Sequence, residues 1–469
     1  MLLLDKAKFH GGIHPTDGSD KLLSNQNGIR EYVPQVVEIS MKQSGGSLCE
    51  PVVKQGDKVV KGQFIGKSNH YVTANIHASL SGTVTDIRVS TDKQNNEVPV
   101  VIIEGSGADK TMVTDMYRNS IIDISSYSRN DIINYMKEGG IIGMGGAGFP
   151  THNKYLTDKK IDIVLINAAE CEPYLTCDHK LMLEYGYEIL NGVILLIKAA
   201  GAKKAIVCLE DNKRDAAEHL SELLATHCNA SQLKNNSQGE YKLQGDLSIE
   251  IRLLPTKYPQ GGERQLVEAV LHKEVPAGAL PVDIGVIINN VATAKAVADM
   301  IFANMPLISR CVTVTGKVKT PTNFMVPIGT RFSELIKEAG GFTTAKNRVI
   351  IGGPMTGESI LIGAGVEKLE GSVTKTTSCI LVLEDYTLIE TPCIRCGECE
   401  RVCPAGLAPF KIDFAAIDDD LSLCDKLYAT ECISCGCCSY VCPAKRELAY
   451  RITVAKNEIF KHRREGGYR

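Results

Sequence analysis

The stretch Ile161-Asp-Ile-Val-Leu-Ile166, running on into Asn167-Ala-Ala-Glu170-Cys171-Glu172-Pro173, sets the fold class of this chain. A short apolar, β-branched run closed by polar residues reads as a strand buried on both faces, as in parallel sheets. Three further runs answer it downstream: Lys204–Leu209, Ile249–Leu254 and Asp283–Ile288. Between them, the stretches through Glu184–Ala199 and Lys213–His227 read as helices. Strands alternating with helices predict an α/β unit. Three of the four strands end in polar or glycine-rich clusters. These are Asn167–Pro173, the stretch Pro255-Thr-Lys257-Tyr258-Pro-Gln-Gly261-Gly262-Glu263-Arg264, and Asn289-Asn290-Val-Ala-Thr293. Open α/β sheets bind ligands beyond the carboxyl ends of their strands, so the clusters predict one shared pocket. Taken alone, Glu170 and Glu172 also suit solvated acids at a helix N-terminus.

Upstream, Asn130–Lys137 reads as a short helix stopped by Gly139-Gly140. Gly143-Met-Gly145-Gly146-Ala-Gly148-Phe149-Pro150-Thr151 follows. It satisfies G-x-G-x-x-G, yet a helix precedes it and Pro150 follows, unlike the ordinary dinucleotide fingerprint. The loop instead suits backbone amides approaching a phosphate or a flat ring. Residues 1 to about 120 hold short alternating runs between glycine turns. The halves around Pro51–Gly66 and Ala78–Ile87 resemble the barrel-sandwich fold of biotinyl and lipoyl carriers. Lys67 is the nearest candidate for a carrier lysine but lacks the flanking pattern, so a docking scaffold is the better reading. His10 and His14, in Phe9-His-Gly-Gly-Ile-His-Pro15, have no matching ligands and read as structural.

Downstream, residues 307–370 form a small unit. Val312–Pro321 alternates like a strand pair, and Phe332–Ala339 is an amphipathic helix closed by Gly340-Gly341. The unit resembles the β-grasp-like SLBB domain. Val349–Ile351 and Ile380–Leu383 read as short strands leading into a last unit, residues 371–469, where Phe410–Ile417 and Leu423–Thr430 suit helices. That unit carries two runs, Cys393, Cys396, Cys399, Cys403-Pro404 and Cys432, Cys435, Cys438, Cys442-Pro443, offset by 39 positions throughout. Both read C-x-x-C-x-x-C-x-x-x-C-P, the spacing that binds two 4Fe–4S clusters, with each run's fourth cysteine serving the other cluster. Cys393, Cys396, Cys399 and Cys442 are thus one expected set, and Cys432, Cys435, Cys438 and Cys403 the other. Structural zinc sites use two short pairs across a longer loop and fit less well. Cys171 and Cys177 lie outside the runs and read as small buried hydrophobes before redox switches. Lys461-His-Arg-Arg-Glu near the end reads as a solvated tail.

The 469 residues leave room for several domains, and 52 basic against 55 acidic residues offer no argument for nucleic acid. The opening Met-Leu-Leu-Leu-Asp is too short for a signal peptide. The 17 cysteines, eight of them in cluster spacing, fit a reducing cytoplasm better than a disulfide framework. No apolar run approaches a membrane span.

The glycine loop, Asn167-Ala-x-Glu170-x-Glu172-Pro and Asn289-Asn290-Val-x-Thr293 resemble the FMN- and NADH-binding motifs of the flavoprotein subunit of respiratory complex I. The whole chain resembles more closely the RnfC proteins of the Rnf (Rsx) electron transport complex. Those share the Phe-x-Gly-Gly-Ile-His-Pro opening, the barrel-sandwich unit and the twin cysteine motif. The resemblance implies four parts: a barrel-sandwich domain (1–120), a Rossmann-like FMN/NADH domain (121–306), an SLBB domain (307–370) and a ferredoxin-type domain (371–469). It further implies that Gly143, Gly145, Lys154, Asn167, Glu170, Tyr258, Gly262, Asn289, Asn290 and Thr293 line an FMN site. Phe149, Glu172 and Glu263 would face NADH, with the carboxylates disfavouring NADP. The implied protein is a peripheral subunit on the cytoplasmic face of a membrane ion-translocating ferredoxin:NAD oxidoreductase. It would exchange hydride between NAD(H) and FMN, pass single electrons through two 4Fe–4S clusters, and reach ferredoxin through a partner subunit. A soluble cobalamin reductase shares the flavin and cluster modules, but the N-terminal unit favours the Rnf reading. A non-catalytic electron wire or scaffold would not need the intact glycine loop or Asn289-Asn290.

Overall fold

The computed structural model describes residues 8–15, 19–92, 96–112, 119–227, 239–243, 246–363, 365–385 and 388–465. The opening Met1–Asp5 lies outside them. The four expected strands form, as Ile163–Ala168, Lys204–Glu210, Ser248–Leu254 and Val286–Asn290, all parallel. In chain order they stand third, second, first, fourth, with the antiparallel edge strand Glu240–Lys242 outside the third. The order reverses between the first and fourth strands, which is where such sheets open a crevice.

The helix expected through Glu184–Ala199 forms as Gly186–Ala200, and a separate helix, Cys177–Glu184, precedes it with Tyr185 between the two. A Cβ on Gly186 would sit 2.4 Å from Leu223 Cδ1, on the neighbouring helix Arg214–Ala225. Further along, a Cβ on Gly192 would fall 1.8 Å from the Ala294 carbonyl oxygen. Glycine there lets the helix Val291–Ala303 approach backbone to backbone.

The N-terminal region folds as two small antiparallel sheets. One orders Val36–Ser40, Glu97–Gly105, Gly82–Thr91 and Lys58–Val59; the other orders Glu50–Pro51, Phe64–Lys67 and Ile76–His77. Lys67 pairs in register with Glu50 inside the second sheet. One continuous core runs from Val37 and Ile103 of these sheets into Val164, Ile194 and Val297 of the α/β unit. The buried Lys375 ties three regions together, since its amine donates to Asn75 O and Gly140 O, each at 2.7 Å.

The third sheet has six strands, ordered Arg30–Glu31, Thr322–Pro327, Ser309–Gly316, Cys379–Glu384, Asn347–Ile351 and Glu358–Gly363. Two differences from the sequence reading follow. Val312–Pro321 is not a strand pair: its first half belongs to one strand and the pairing strand begins at Thr322. Cys379–Glu384, assigned to the cluster side of a boundary at 370, is an interior strand pairing with both Ser309–Gly316 and Asn347–Ile351.

Beyond it lies a helical unit holding both cysteine runs. Its helices are Glu398–Arg401, Pro409–Ile417, Leu421–Lys426, Cys437–Val441 and Leu448–Arg464. The buried Asp413 carboxylate accepts from Arg446 (2.5 Å) and Arg451 (2.6 Å), pinning the last helix to Pro409–Ile417. The basic C-terminal stretch is the end of that helix and is mostly exposed, with Arg463 in a surface ion pair with Asp425 at 2.7 Å. Among the described residues no helix is long and apolar enough to cross a membrane.

Candidate functional site

A broad cleft opens where three of these units meet. Gly145, Gly146 and Ala147, with Asn167, Glu170, Glu172, Gly261 and Asn290, line it from the α/β unit. Ser44 and Gly45 line it from the N-terminal sheets, and Gly352, Thr356 and Thr376 from the six-stranded-sheet unit. Asn167 and Asn290 are register partners at the ends of the first and fourth strands, so both stand at the point where strand order reverses.

The glycine loop is held from beneath. Thr293 Oγ1 accepts from Met144 N (3.0 Å) and donates to Ile142 O (3.2 Å), and Gly143 N donates to Phe149 O (2.8 Å). A Cβ on Gly145 would lie 3.5 Å from Asn290 Cβ, an ordinary contact, so nothing in the fold itself demands glycine there. A bare backbone facing a roomy cleft beside two asparagines suits a flat ring and a phosphate, and the residues present fit a flavin nucleotide.

The strand-end loop Asn167–Pro173 is constrained on every side. Asn167 Nδ2 donates to Gly261 O at 2.8 Å. The buried Lys213 amine donates to Ala169 O at 2.7 Å. Glu170, at φ +45°, accepts from the amides of Asp178 (2.7 Å) and His179 (3.3 Å) and so caps the helix Cys177–Glu184. Glu172 accepts from Met355 N (3.3 Å) and the Thr356 hydroxyl, both in the loop that follows Asn347–Ile351. Burial raises its carboxyl and these bonds lower it, with burial the larger effect.

Other nominated residues stand outside the cleft wall. Lys154 donates to Glu263 (2.9 Å) and Ile288 O (2.9 Å). Asn289 donates to Tyr155 Oη at 2.6 Å in the core. Gly262 caps the helix Glu263–Leu271, and Phe149 is 37% exposed. Phe149, Glu172 and Glu263 therefore do not share one wall. Tyr258 is buried and turns toward the helical unit, where its hydroxyl donates to Cys435 O at 2.8 Å. It packs with Ile13, Val402 and Cys437, and with Cys171 on the cleft side. The Phe9–Pro15 segment is the strap beside it. Ile13 bridges to Tyr258, Gly12 N donates to Val402 O (2.9 Å), and a Cβ on Gly11 would meet the Cys403 backbone at 2.7 Å. His10 and His14 have no part in the cleft.

The cysteines fall into two groups that mix the runs. Cys393, Cys396, Cys399 and Cys442 line one pocket of about 350 Å³. Cys403 shares a buried cluster with Cys432, and Cys435 and Cys438 are its electrostatic neighbours. Amides of Arg395, Leu407 and Ser434 approach Cys393, Cys403 and Cys432 Sγ at 3.4 Å each. Two tetrads of thiols wrapped in amides fit iron–sulfur cubes. Burial pushes the Cys171 and Cys177 thiols up, which disfavours their thiolate forms.

Several cleft residues escaped the sequence reading, Asp178 and Arg310 among them. Arg310 is a lone charge in the otherwise buried strand Ser309–Gly316, and that contrast was the available signal.

Similarity to known proteins agrees with this anatomy. Residues 136–299 match a family described as the Nuo51 FMN-binding domain, 7–108 the RnfC barrel sandwich hybrid domain, and 311–359 the SLBB domain. The chain is 38% identical to the RnfC-type component of the Na(+)-translocating ferredoxin:NAD(+) oxidoreductase complex of Acetobacterium woodii, covering 98% of each. It is 37% identical to the corresponding component of the proton-translocating ferredoxin:NAD(+) oxidoreductase complex of Clostridium ljungdahlii, covering 86% of this chain and 82% of that one. The counterpart in the ion-translocating oxidoreductase complex of Rhodobacter capsulatus is 36% identical, with 87% and 75% covered. Identity at this level over nearly the full length places the chain in the RnfC family of ion-translocating oxidoreductase complexes.

Proposed function

We propose that this chain is the peripheral electron-transfer subunit of a membrane-bound, ion-translocating ferredoxin:NAD oxidoreductase. It would hold FMN in the cleft and two 4Fe–4S clusters in the helical unit, with NAD(H) as substrate and other Rnf proteins as partners. FMN, when bound, supplies the exchange between two-electron nicotinamide and one-electron carriers. The protein's part is placement. Asn167, Asn290 and the Gly145–Ala147 backbone would seat the flavin, while Glu172 and Glu263 remain the carboxylates proposed for the nicotinamide nucleotide. Their charge would disfavour a 2′-phosphate, hence NAD over NADP.

The observation that carries the reading is the continuity from cleft to cysteines. Cys171 lines the cleft and packs with Tyr258, whose hydroxyl reaches the Cys435 carbonyl. A flavin in this cleft would thus lie one packed side-chain layer from the Cys403/Cys432/Cys435/Cys438 group. The other group has an exposed member, Cys396, with the exposed Ile394 lining the same pocket, which supports a partner face there. Docking on the cytoplasmic side of the membrane fits a reducing setting for eight unpaired cluster thiols.

Anaerobic purification with acid-extracted flavin and iron analysis tests this directly. One FMN and about eight irons per chain are expected. Gly145→Val should lose the flavin and keep the iron. Because the first carbon of a side chain fits there without strain, that loss would report on the ligand and not on folding. Full FMN content in folded Gly145→Val would move the flavin out of this cleft.

A further inference from the structure

Four cations line the cleft: Lys42, Arg88, Arg310 and Arg331. Three already face carboxylates. Lys42 pairs with Asp92 at 3.6 Å, and Arg88 and Arg331 both pair with Glu38. Arg310 is different. It is only 2% exposed, and its Nε and Nη2 donate to the backbone carbonyls of Thr377 (2.8 Å) and Met144 (2.9 Å). Among the described residues nothing accepts a hydrogen bond from its buried Nη1. The cleft's inner carboxylates make no hydrogen bond to Arg310, although Asp178 lies near enough to feel its charge. Asp178 Oδ2 accepts from Asn290 (2.6 Å), and both Glu170 oxygens accept from helix amides. A buried guanidinium without a bonded anion is costly, and arginine's fork suits phosphate oxygens.

The two carbonyls also fix where the guanidinium can act. Met144 stands between Gly143 and Gly145, so the same side chain that braces the glycine loop presents a free N–H beside it. We infer that Arg310 binds the phosphate of the flavin nucleotide, with Nη1 donating to a phosphate oxygen across the floor formed by Gly145 and Asn290. This rests on the flavin reading above. It brings the strand Ser309–Gly316, outside the α/β unit, into the binding site.

The full chain, stripped of flavin, is titrated with FMN and with riboflavin, following quenching of flavin fluorescence. Riboflavin lacks only the phosphate. The parent protein should prefer FMN, and Arg310→Gln should cut that preference by about 10- to 100-fold, the range for a charge-assisted hydrogen bond. Arg310→Lys keeps the charge without the fork and should give an intermediate ratio. If the variants lose both flavins equally, Arg310 only braces the loop and the assignment fails. If the ratio holds while NADH binding weakens, the phosphate it serves is the dinucleotide's, which also overturns it. A parent chain that binds neither flavin overturns the flavin reading itself, a result distinct from either.

Discussion

Asp178 stands in the first turn of the helix Cys177–Glu184, buried, with Glu170 beside it and Asn290 donating to its Oδ2. Burial, and then the charge of Glu170, push its carboxyl up to about 6, against the pull of Arg310 and the Asn290 bond. Between the ordinary carboxylate range and that value, the folded chain holds more protons than the unfolded one. Stability therefore falls as pH rises through the window, and above it the penalty is complete. Asp178→Asn removes the charge while its amide oxygen still accepts from Asn290. We expect the variant to be more stable than the parent near neutral pH, on the order of 2 kcal/mol, with the gain shrinking as pH falls toward 4. Urea denaturation across that range checks it, and a pH-independent difference would rule out the charge as the cause. Asp178 and Arg310 also mark where single-residue reading ended. Asn167 and Asn290 were legible because strand ends in a parallel sheet have a shared fate. Arg310 comes to the cleft from a different sheet: its local pattern marks a charge inside a buried strand but not the site which that charge will face.

The two cysteine runs were legible as elements because their spacing is a repeat. The helices Pro409–Ile417 and Leu421–Lys426 separate the runs, and folding brings Cys442 to the pocket of Cys393, Cys396 and Cys399. Cys442→Ser should therefore diminish the centre held by the first run, and Cys403→Ser the one held by the second, each taking iron from about eight toward four. Electron paramagnetic resonance of the reduced protein separates the two. Damage confined to the mutated cysteine's own run would contradict the crossed grouping. Other elements were misread for a physical reason. Cys379-Ile-Leu-Val-Leu-Glu384 is an apolar run like any strand, and sequence order placed it beside the cysteines, whereas its hydrogen-bond partners lie about thirty and seventy residues upstream.

At the scale of the molecule the two cysteine groups are not equivalent. One is joined to the cleft by Tyr258 and Cys171, and the strap Phe9–Pro15 packs beside Tyr258 with Gly11 against the Cys403 backbone. Met355 adds a second tie, since its amide donates to Glu172 while its carbonyl lies where a Cβ on Gly436 would come within 2.8 Å. The other group opens to solvent at Cys396, on a unit that also exposes Leu388, Tyr428 and Tyr450. Electron transfer weakens steeply with separation, so with a flavin in the cleft we propose an order: the Cys403/Cys432/Cys435/Cys438 group inner and the Cys393/Cys396/Cys399/Cys442 group outer. Two variants read that order without needing the partner complex. In Cys435→Ser the outer centre should assemble and accept electrons from dithionite, yet stay oxidised when NADH is the only reductant. In Cys396→Ser the inner centre should still be reduced by NADH, because nothing on its side of the molecule has changed. Both variants should keep their FMN, since neither cysteine lines the cleft. Reduction of the outer centre by NADH in Cys435→Ser would mean that electrons leave the flavin by another face. The layer built from Tyr258, Cys171 and the strap would then be packing alone.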